Sequence, residues 1–364
     1  MMYYVCRCQI LHHFLCLMWL FLRADPKSYP LPVELQERIY RYLPLRDLIS
    51  LSAIPNLKDD MEKHLEARIL RLLVSFRLKG KDTLDMMRST GTVVSGSAAL
   101  EIVSPGSCEP RDLNLYCPAG SAQGAIRMIL GLDGFVESPY PLKTLLAERT
   151  PFSRFEVNNG IKRLYRFVHL PSSKVVTLAE SISTSSVAPV LFFHSTLLMN
   201  YVSGSGVVSF YPELTYDNLG LLNYSQHFDE LHKPGVLDRW EHVGMDICHD
   251  CRDWHQDHPS LSPSARRGMC QWAYRQTNDE WTDRMDFRTG QRKRLGPILA
   301  WRLGHVYKGR KDVMYHKTSV HLVHEEWFKL CLYKTAVEWV RYYAPIDSAT
   351  GEIDSANWKR SFPQ

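Results

Sequence analysis

Charge of one sign is scarce in this 364-residue sequence. Its 44 basic and 39 acidic side chains leave a net +5, which permits a phosphate-bearing partner but is far below that of a dedicated nucleic-acid binder. The basic runs GQRKR (290–294) and YKGRK (307–311) have no aromatic interleaving and read as solvated loops. No uninterrupted apolar run reaches the roughly 20 residues of a membrane span. The nearest, QILHHFLCLMWLFL at 9–22, is broken by His12 and His13 and lacks a small-residue cleavage site after it. A packed N-terminal helix, or an extension upstream of the true start, is therefore expected there in preference to a signal or anchor. The nine cysteines lack the spacing of a secreted disulfide scaffold, so reduced thiols and an intracellular setting, cytoplasmic or nuclear, are expected. Only three residues part Cys251 from His255 in DICHDCRDWHQDH. Cys248, Cys251, His255 and His258, with Cys270 as a substitute, thus make a polar surface loop a better reading than a zinc site. YVSGSGVVSF lacks the lysine and following helix of a phosphate loop and reads as a turn into a strand.

What is present begins with helices. In YPLPVELQERIYRYLPLRDLISLSAI, Pro32 suits a first helical turn, and Leu35, Ile39, Tyr42 and Leu43 then recur on one face until Pro44 stops the helix. A second short helix follows, with Asp47 near its start and Leu45, Leu48 and Leu51 available for packing. Leu31, Pro32, Leu35, Ile39, Leu43, Asp47 and Leu48 resemble the front of an F-box, whose Leu-Pro pair and apolar helix dock on the Skp-type adaptor of a cullin ubiquitin ligase. That resemblance implies an adaptor-binding role for Leu31, Pro32, Leu35 and Ile39. The match fades after Ser52, where Pro55 breaks the register, and the alternative is that these helices cap the next domain's core. An apolar stripe from Leu57 to Phe76 predicts a packing helix, and Thr83 to Thr90 a further short one.

The stretch GTVVSGSAALEIVSPGSCEPRDLNLYCP holds the most specific signal. Val93 and Val94 suit a buried strand. Gly96-Ser97 makes a tight turn whose amides and hydroxyl, ahead of a helix over Ala98 to Val103, can hold a phosphate. In RDLNLYCP, alternation puts Asp112 and Asn114 on one face and Leu113 and Leu115 in the core. This resembles the nucleotidyltransferase superfamily, with its Gly-Ser turn, helix, and strand bearing two carboxylates two residues apart that hold catalytic Mg²⁺. The resemblance implies nucleotide binding by Gly96, Ser97, Asp112, Asn114 and Thr177. Thr177 is the central polar position of KVVTLAES, the strand expected in hairpin with GIKRLYRFVHL where a third carboxylate belongs. Only Asp112 is a metal-ligating acid, with Asn114 neutral and with Glu180 or Glu156 able to rescue the site only in a different geometry.

More narrowly, Ser95 to Leu100, Asp112 to Tyr116, Phe193 to Thr196 with Met199-Asn200, and Tyr211 to Thr215 resemble a group of uncharacterised proteins from mushroom-forming fungi. That group pairs an F-box-like start with SGSxAL, DLDxY, FHSTxxMN and YPxLT segments, over roughly residues 30–250 here. Asn114 departs from its usual second aspartate. His194 beside Ser195 invites a nucleophile-and-base reading, but sequence neighbours diverge on an element and no acid is placed to orient the histidine, so a structural role is expected. The aromatic pattern at 325–343 reads as a packing helix.

These readings together predict an α+β protein. It comprises an apolar extension over 1–28, an F-box-like helical segment over 29–80, a nucleotidyltransferase-like mixed sheet with flanking helices over 81–225, and a mixed C-terminal extension over 226–364. The expected function is that of a non-catalytic binding or adaptor protein, in the ligase setting a substrate receptor. An active Mg²⁺-dependent nucleotidyltransferase is the alternative. Mg²⁺ is expected only if a nucleotide carries it in, zinc is not expected, and a Skp-type adaptor and a nucleotide are the expected partners.

Overall fold

The computed structural model describes residues 32–138, 160–224, 244–249, 251, 268–287, 297–308, 313–316 and 318–322. It is a mixed α+β structure in two compact units, residues 1–40 and 41–364. The described part of the first is one helix, α1 (Val33–Tyr40), whose opening turn is closed by the Pro32 carbonyl accepting from the amides of Leu35 and Gln36. Leu35 is 46% exposed and Ile39 half-buried; Leu31 lies outside the described residues. The helix stops at Tyr40, short of the expected end at Pro44. Leu43 turns into the core of the second unit, where its carbonyl accepts from Arg68 Nη2 at 2.9 Å, and Tyr42 is left 65% exposed. A tertiary hydrogen bond therefore outweighs the local apolar spacing.

The second unit opens with α2 (Leu45–Ser52), α3 (Lys58–Ser75) and α4 (Gly80–Thr90). Leu45 and Leu48 are fully buried. Arg46 pairs with Glu213, reaches Asp283 at 3.7 Å and stacks 4.7 Å from the Tyr216 ring. Arg68 of α3 donates to Leu43 O and to Ile102 O, and burial lowers its pKa to about 10. Helices α2 and α3, expected to go with α1 in a segment ending at residue 80, thus pack with the sheet-bearing unit.

Eight strands form the main sheet. They are β1 (Val93–Ser95), β2 (Asp112–Cys117), β3 (Phe135–Glu137), β4 (Ile161–His169), β5 (Lys174–Ser181), β6 (Asn200–Ser203), β7 (Gly206–Ser209) and β11 (Asp283–Asp286), in the order β11-β7-β6-β1-β2-β5-β4-β3. Every neighbouring pair is antiparallel except β2 and β5, which are parallel. Helix α5 (Ser97–Val103) joins β1 to β2, and α6 (Ala122–Leu130) follows β2. The expected hairpin is β4–β5, and YVSGSGVVSF forms the β6–β7 hairpin. The edge strand β11 comes from the region expected as a separate C-terminal extension, so that extension helps to build the sheet.

Beyond the sheet lie α7 (Pro212–Tyr216), the parallel pair β8 (Leu219–Leu221) and β9 (Asp246–Cys248), the three-stranded β10 (Arg275–Gln276), β12 (Leu299–Arg302) and β15 (Ser319–Leu322), and the hairpin β13 (His305–Lys308) and β14 (Val313–His316). Val93, Tyr116, Ala179 and Val208 on one sheet face share a core cluster with Leu191, Phe193, Trp272 and Trp301. Leu113, Leu115, Val176 and Leu178 on the other face are fully buried outside that cluster. Among the described residues no helix is long and apolar enough to cross a membrane.

Two buried polar side chains tie the C-terminal elements to this core. Arg275 chelates Asp279 through Nε and Nη2 and donates to the carbonyls of Gly268 and Phe210. Asn223 donates to Leu191 O and Phe193 O and accepts from Gly304 N and Thr318 Oγ1.

Cys117, buried at the end of β2 with the Glu180 carboxylate nearby, has its thiol pushed up to about 12, chiefly by burial. In native protein at pH 8.5, iodoacetamide is expected to leave Cys117 unlabelled while half-exposed Cys108 reacts, as read by peptide mass spectrometry. From pH 9 to about 12 the unfolded thiol loses its proton and the folded one keeps it, so this group's contribution to stability falls as pH rises through that window.

Candidate functional site

The candidate site forms where β1 leaves the sheet. Gly96 has φ +77°, a conformation that a side chain would strain, and a methyl group built on it stands 3.6 Å from Asn114 Nδ2. The turn at Gly96 and the Asn114 amide therefore face each other directly. Ser95 pairs with Asn114 across β1–β2, and Asn114 pairs with Thr177 across β2–β5. Paired residues point to the same side of a sheet, so Asp112, Asn114 and Thr177 share a face. On that face Tyr116 packs edge-on against Phe193 at 5.8 Å and is buried, whereas Asp112 and Asn114 are half-exposed. The face is closed at its Tyr116 end and open toward Asp112. The Asp112 and Asn114 backbones belong to the β2 ladders, whereas their side chains and the Ser97 hydroxyl hydrogen-bond to no other described residue.

Arg166 of β4 was not marked by sequence reading. It pairs with Thr177 and adds a guanidinium to the row running through Asn114 and Ser95 to Tyr201 of β6. Alternation within IKRLYRFVH was the available signal, since it puts Arg166 on the face of Leu164 and Val168. Burial raises the Tyr201 phenol above its ordinary range.

Glu180 does not join the row. It pairs with Cys117, on the opposite face from Asn114 and Thr177, and its carboxylate accepts from Gly120 N at 2.7 Å with Lys162 Nζ 4.0 Å away. The alternation that brings Thr177 beside Asn114 turns Glu180 away. Glu156 lies outside the described residues.

A two-metal site needs several anionic oxygens to offset about four positive charges. Among the described residues of β1, β2 and β5, Asp112 is the one carboxylate on this face; Asn114 and Thr177 offer neutral oxygens, and Arg166 of β4 adds positive charge. That donor set does not fit two Mg²⁺ ions. It is better matched to an anion whose charge the arginine and the turn can meet, or to a single cation that brings its own ligands.

The described parts of the other marked segments make contacts within the fold. Ser195 Oγ accepts from Leu197 N at the head of a short 3-10 helix (Thr196–Leu198), and Thr196 Oγ1 accepts from Leu221 N at 2.9 Å. His194, Ser195 and Thr196 are buried. In the cysteine-rich stretch, His249 Nδ1 meets the Tyr224 hydroxyl at 3.0 Å, and His255 and His258 lie outside the described residues, as does the aromatic segment 325–343. Among the described residues no group of three or more His, Cys, Asp or Glu side chains gathers in metal-binding range. Comparison with family models, with curated proteins and with solved structures finds no match to the chain.

Proposed function

We propose that the chain is a non-catalytic binding protein built on a degenerate nucleotidyltransferase-like core. In this reading Gly96, Ser97, Asp112, Asn114 and Thr177 hold a nucleotide or a related phosphate. The F-box-like start engages a Skp-type adaptor through Leu31, Pro32, Leu35 and Ile39, which makes the protein a substrate receptor of a cullin ubiquitin ligase. The observation that carries the first part is the register Asn114–Thr177, which leaves Asp112 as the sole carboxylate on that face of β2 and β5 while Glu180 faces the other way. The sequence of turn, helix, strand and later adjoining strand supports the superfamily resemblance. The exposure of Leu35 on α1 supports the second part.

Restoring the acid with Asn114→Asp is expected to strengthen Mg²⁺ binding by about tenfold, since it adds a full negative charge to the row. Titration calorimetry of Mg²⁺ and of nucleoside triphosphate, beside transfer assays on a panel of acceptors, measures this. The parent is expected to bind nucleotide weakly and to transfer nothing. Metal-dependent transfer by the parent, abolished in Asp112→Ala, establishes an enzyme and overturns the non-catalytic reading. Leu35→Asp is expected to remove co-purification with a Skp-type adaptor; adaptor capture that survives the charge removes the ligase role and leaves the nucleotide reading standing.

A further inference from the structure

Two sulfur atoms meet in the core behind β8 and β9. Cys251 Sγ and Cys270 Sγ are 3.8 Å apart, and each residue is about 1% exposed. They sit 19 positions apart in sequence, so their meeting is a product of the fold. One neighbouring side chain fixes it. Gln271, next to Cys270, accepts from Cys251 N through Oε1 at 3.2 Å, and its Nε2 donates to Leu222 O at 2.8 Å and to His249 O at 3.2 Å. The glutamine is itself 1% exposed, so it spans the β8 and β9 strand ends inside the core and sets the separation of the two sulfurs.

We propose that Cys251 and Cys270 are an oxidation site, a dithiol that a hydroperoxide converts to an internal disulfide. A disulfide bond is about 2.05 Å long, so the sulfurs must close by roughly 1.8 Å, a distance that side-chain rotation with small backbone adjustment covers. In the first step the thiolate of one cysteine attacks the distal oxygen of the hydroperoxide. Its S–O bond forms as the O–O bond breaks, giving a sulfenic acid and, after protonation, the alcohol (water, for hydrogen peroxide). In the second step the other thiolate attacks that sulfur, the S–S bond forms, the S–O bond breaks, and hydroxide leaves to take up the thiol proton as water. Two thiols and one hydroperoxide thus become one disulfide, one alcohol and one water. Burial of both sulfurs makes oxidant entry depend on local opening, so the reaction is slow and selective. Once formed, the bridge ties the end of β9 to the loop carrying Trp272 and restricts the unfolded chain.

The test uses the full-length protein. It is exposed to graded hydrogen peroxide, residual thiols are blocked with N-ethylmaleimide, and peptides are mapped by mass spectrometry with and without reduction, alongside metal analysis of the untreated protein. The expected result is a Cys251–Cys270 cross-linked peptide as the principal product, with a higher urea midpoint after oxidation that dithiothreitol reverses. Cys270→Ser is expected to abolish the cross-link; the parent map stands on its own if that variant fails to fold. Because Cys108 and Cys248 are half-exposed and react first, the deciding reading is taken after prolonged exposure, with mild urea added to speed local opening; retention of both buried thiols then overturns the proposal. So does pairing of either cysteine with a different one, or stoichiometric zinc that shields both until it is chelated.

Discussion

Arg275→Leu is expected to cost about 3 kcal/mol of folding stability, read as a fall in the urea midpoint, because it takes the charged partner from Asp279, whose side chain is only 10% exposed, and among the described residues leaves it the Gln276 amide and the Thr282 hydroxyl alone. Arg275 is fully buried, yet it is not held by charge alone. Two of its nitrogens chelate Asp279, Nη1 donates to Gly268 O, and Nη2 also reaches Phe210 O at 2.9 Å and Thr282 Oγ1 at 3.3 Å. The guanidinium lies 4.9 Å from the Tyr211 ring centroid and 5.5 Å from those of Trp281 and Trp301, so three aromatic faces surround it. Leucine removes every donor and leaves Asp279 and two carbonyls to find other partners. Arg275→Lys keeps the charge but loses the planar fork, and an intermediate loss of about 2 kcal/mol is expected. A leucine variant with the parent's midpoint rules out this hub as a source of stability.

The second large effect is expected at Asn223. Its side chain uses its full capacity of two donors and two acceptor directions, joining the carbonyls of Leu191 and Phe193 to Gly304 N and Thr318 Oγ1. Asn223→Asp aims an oxygen at two carbonyls and buries a charge at a residue with no exposure, and a loss of about 3 kcal/mol or more is expected. Thermal unfolding followed by circular dichroism measures it. Acidification is expected to recover part of the loss in the aspartate variant, because protonation restores one donor. A loss in Asn223→Asp that is the same at pH 5 and pH 8 contradicts this account.

Much of the sheet centre was readable in advance because its signals are local. Two valines before Gly96, the strict alternation of DLNLYC, and the β-branched run of KVVTLAES each mark a strand without knowledge of the rest. The helix over Leu57 to Phe76 was likewise visible from its stripe and is observed as α3. The Asp112, Asn114 and Thr177 row was legible in the same way, because a period of two decides which side chains share a face. Register between distant strands was not, so Arg166 was missed and the exclusion of Glu180 had to wait for the β2–β5 pairing. Strand β11 was invisible for a related reason. DRMD has four residues, three of them charged, and its only claim to a sheet is the neighbour it finds in β7. Helix α1 ended early because a buried arginine 25 positions away holds Leu43, which no local window contains.

The place of β11 bears on how the protein is made. A ribosome delivers β7 some 70 residues before β11, which at ordinary translation speeds is a delay of about 4 to 15 seconds. Throughout it, the outer edge of β7, with buried Val207 and Val208, has no partner in the nascent chain, and an unpaired edge is a template for the wrong strand. Helix α2 waits as well, because Glu213 and Asp283, the partners of Arg46, emerge long after it does. The two ends of the second unit are thus mutually dependent during synthesis, and a chain released before residue 283 has neither its sheet edge nor the Asp283 half of its latch on α2.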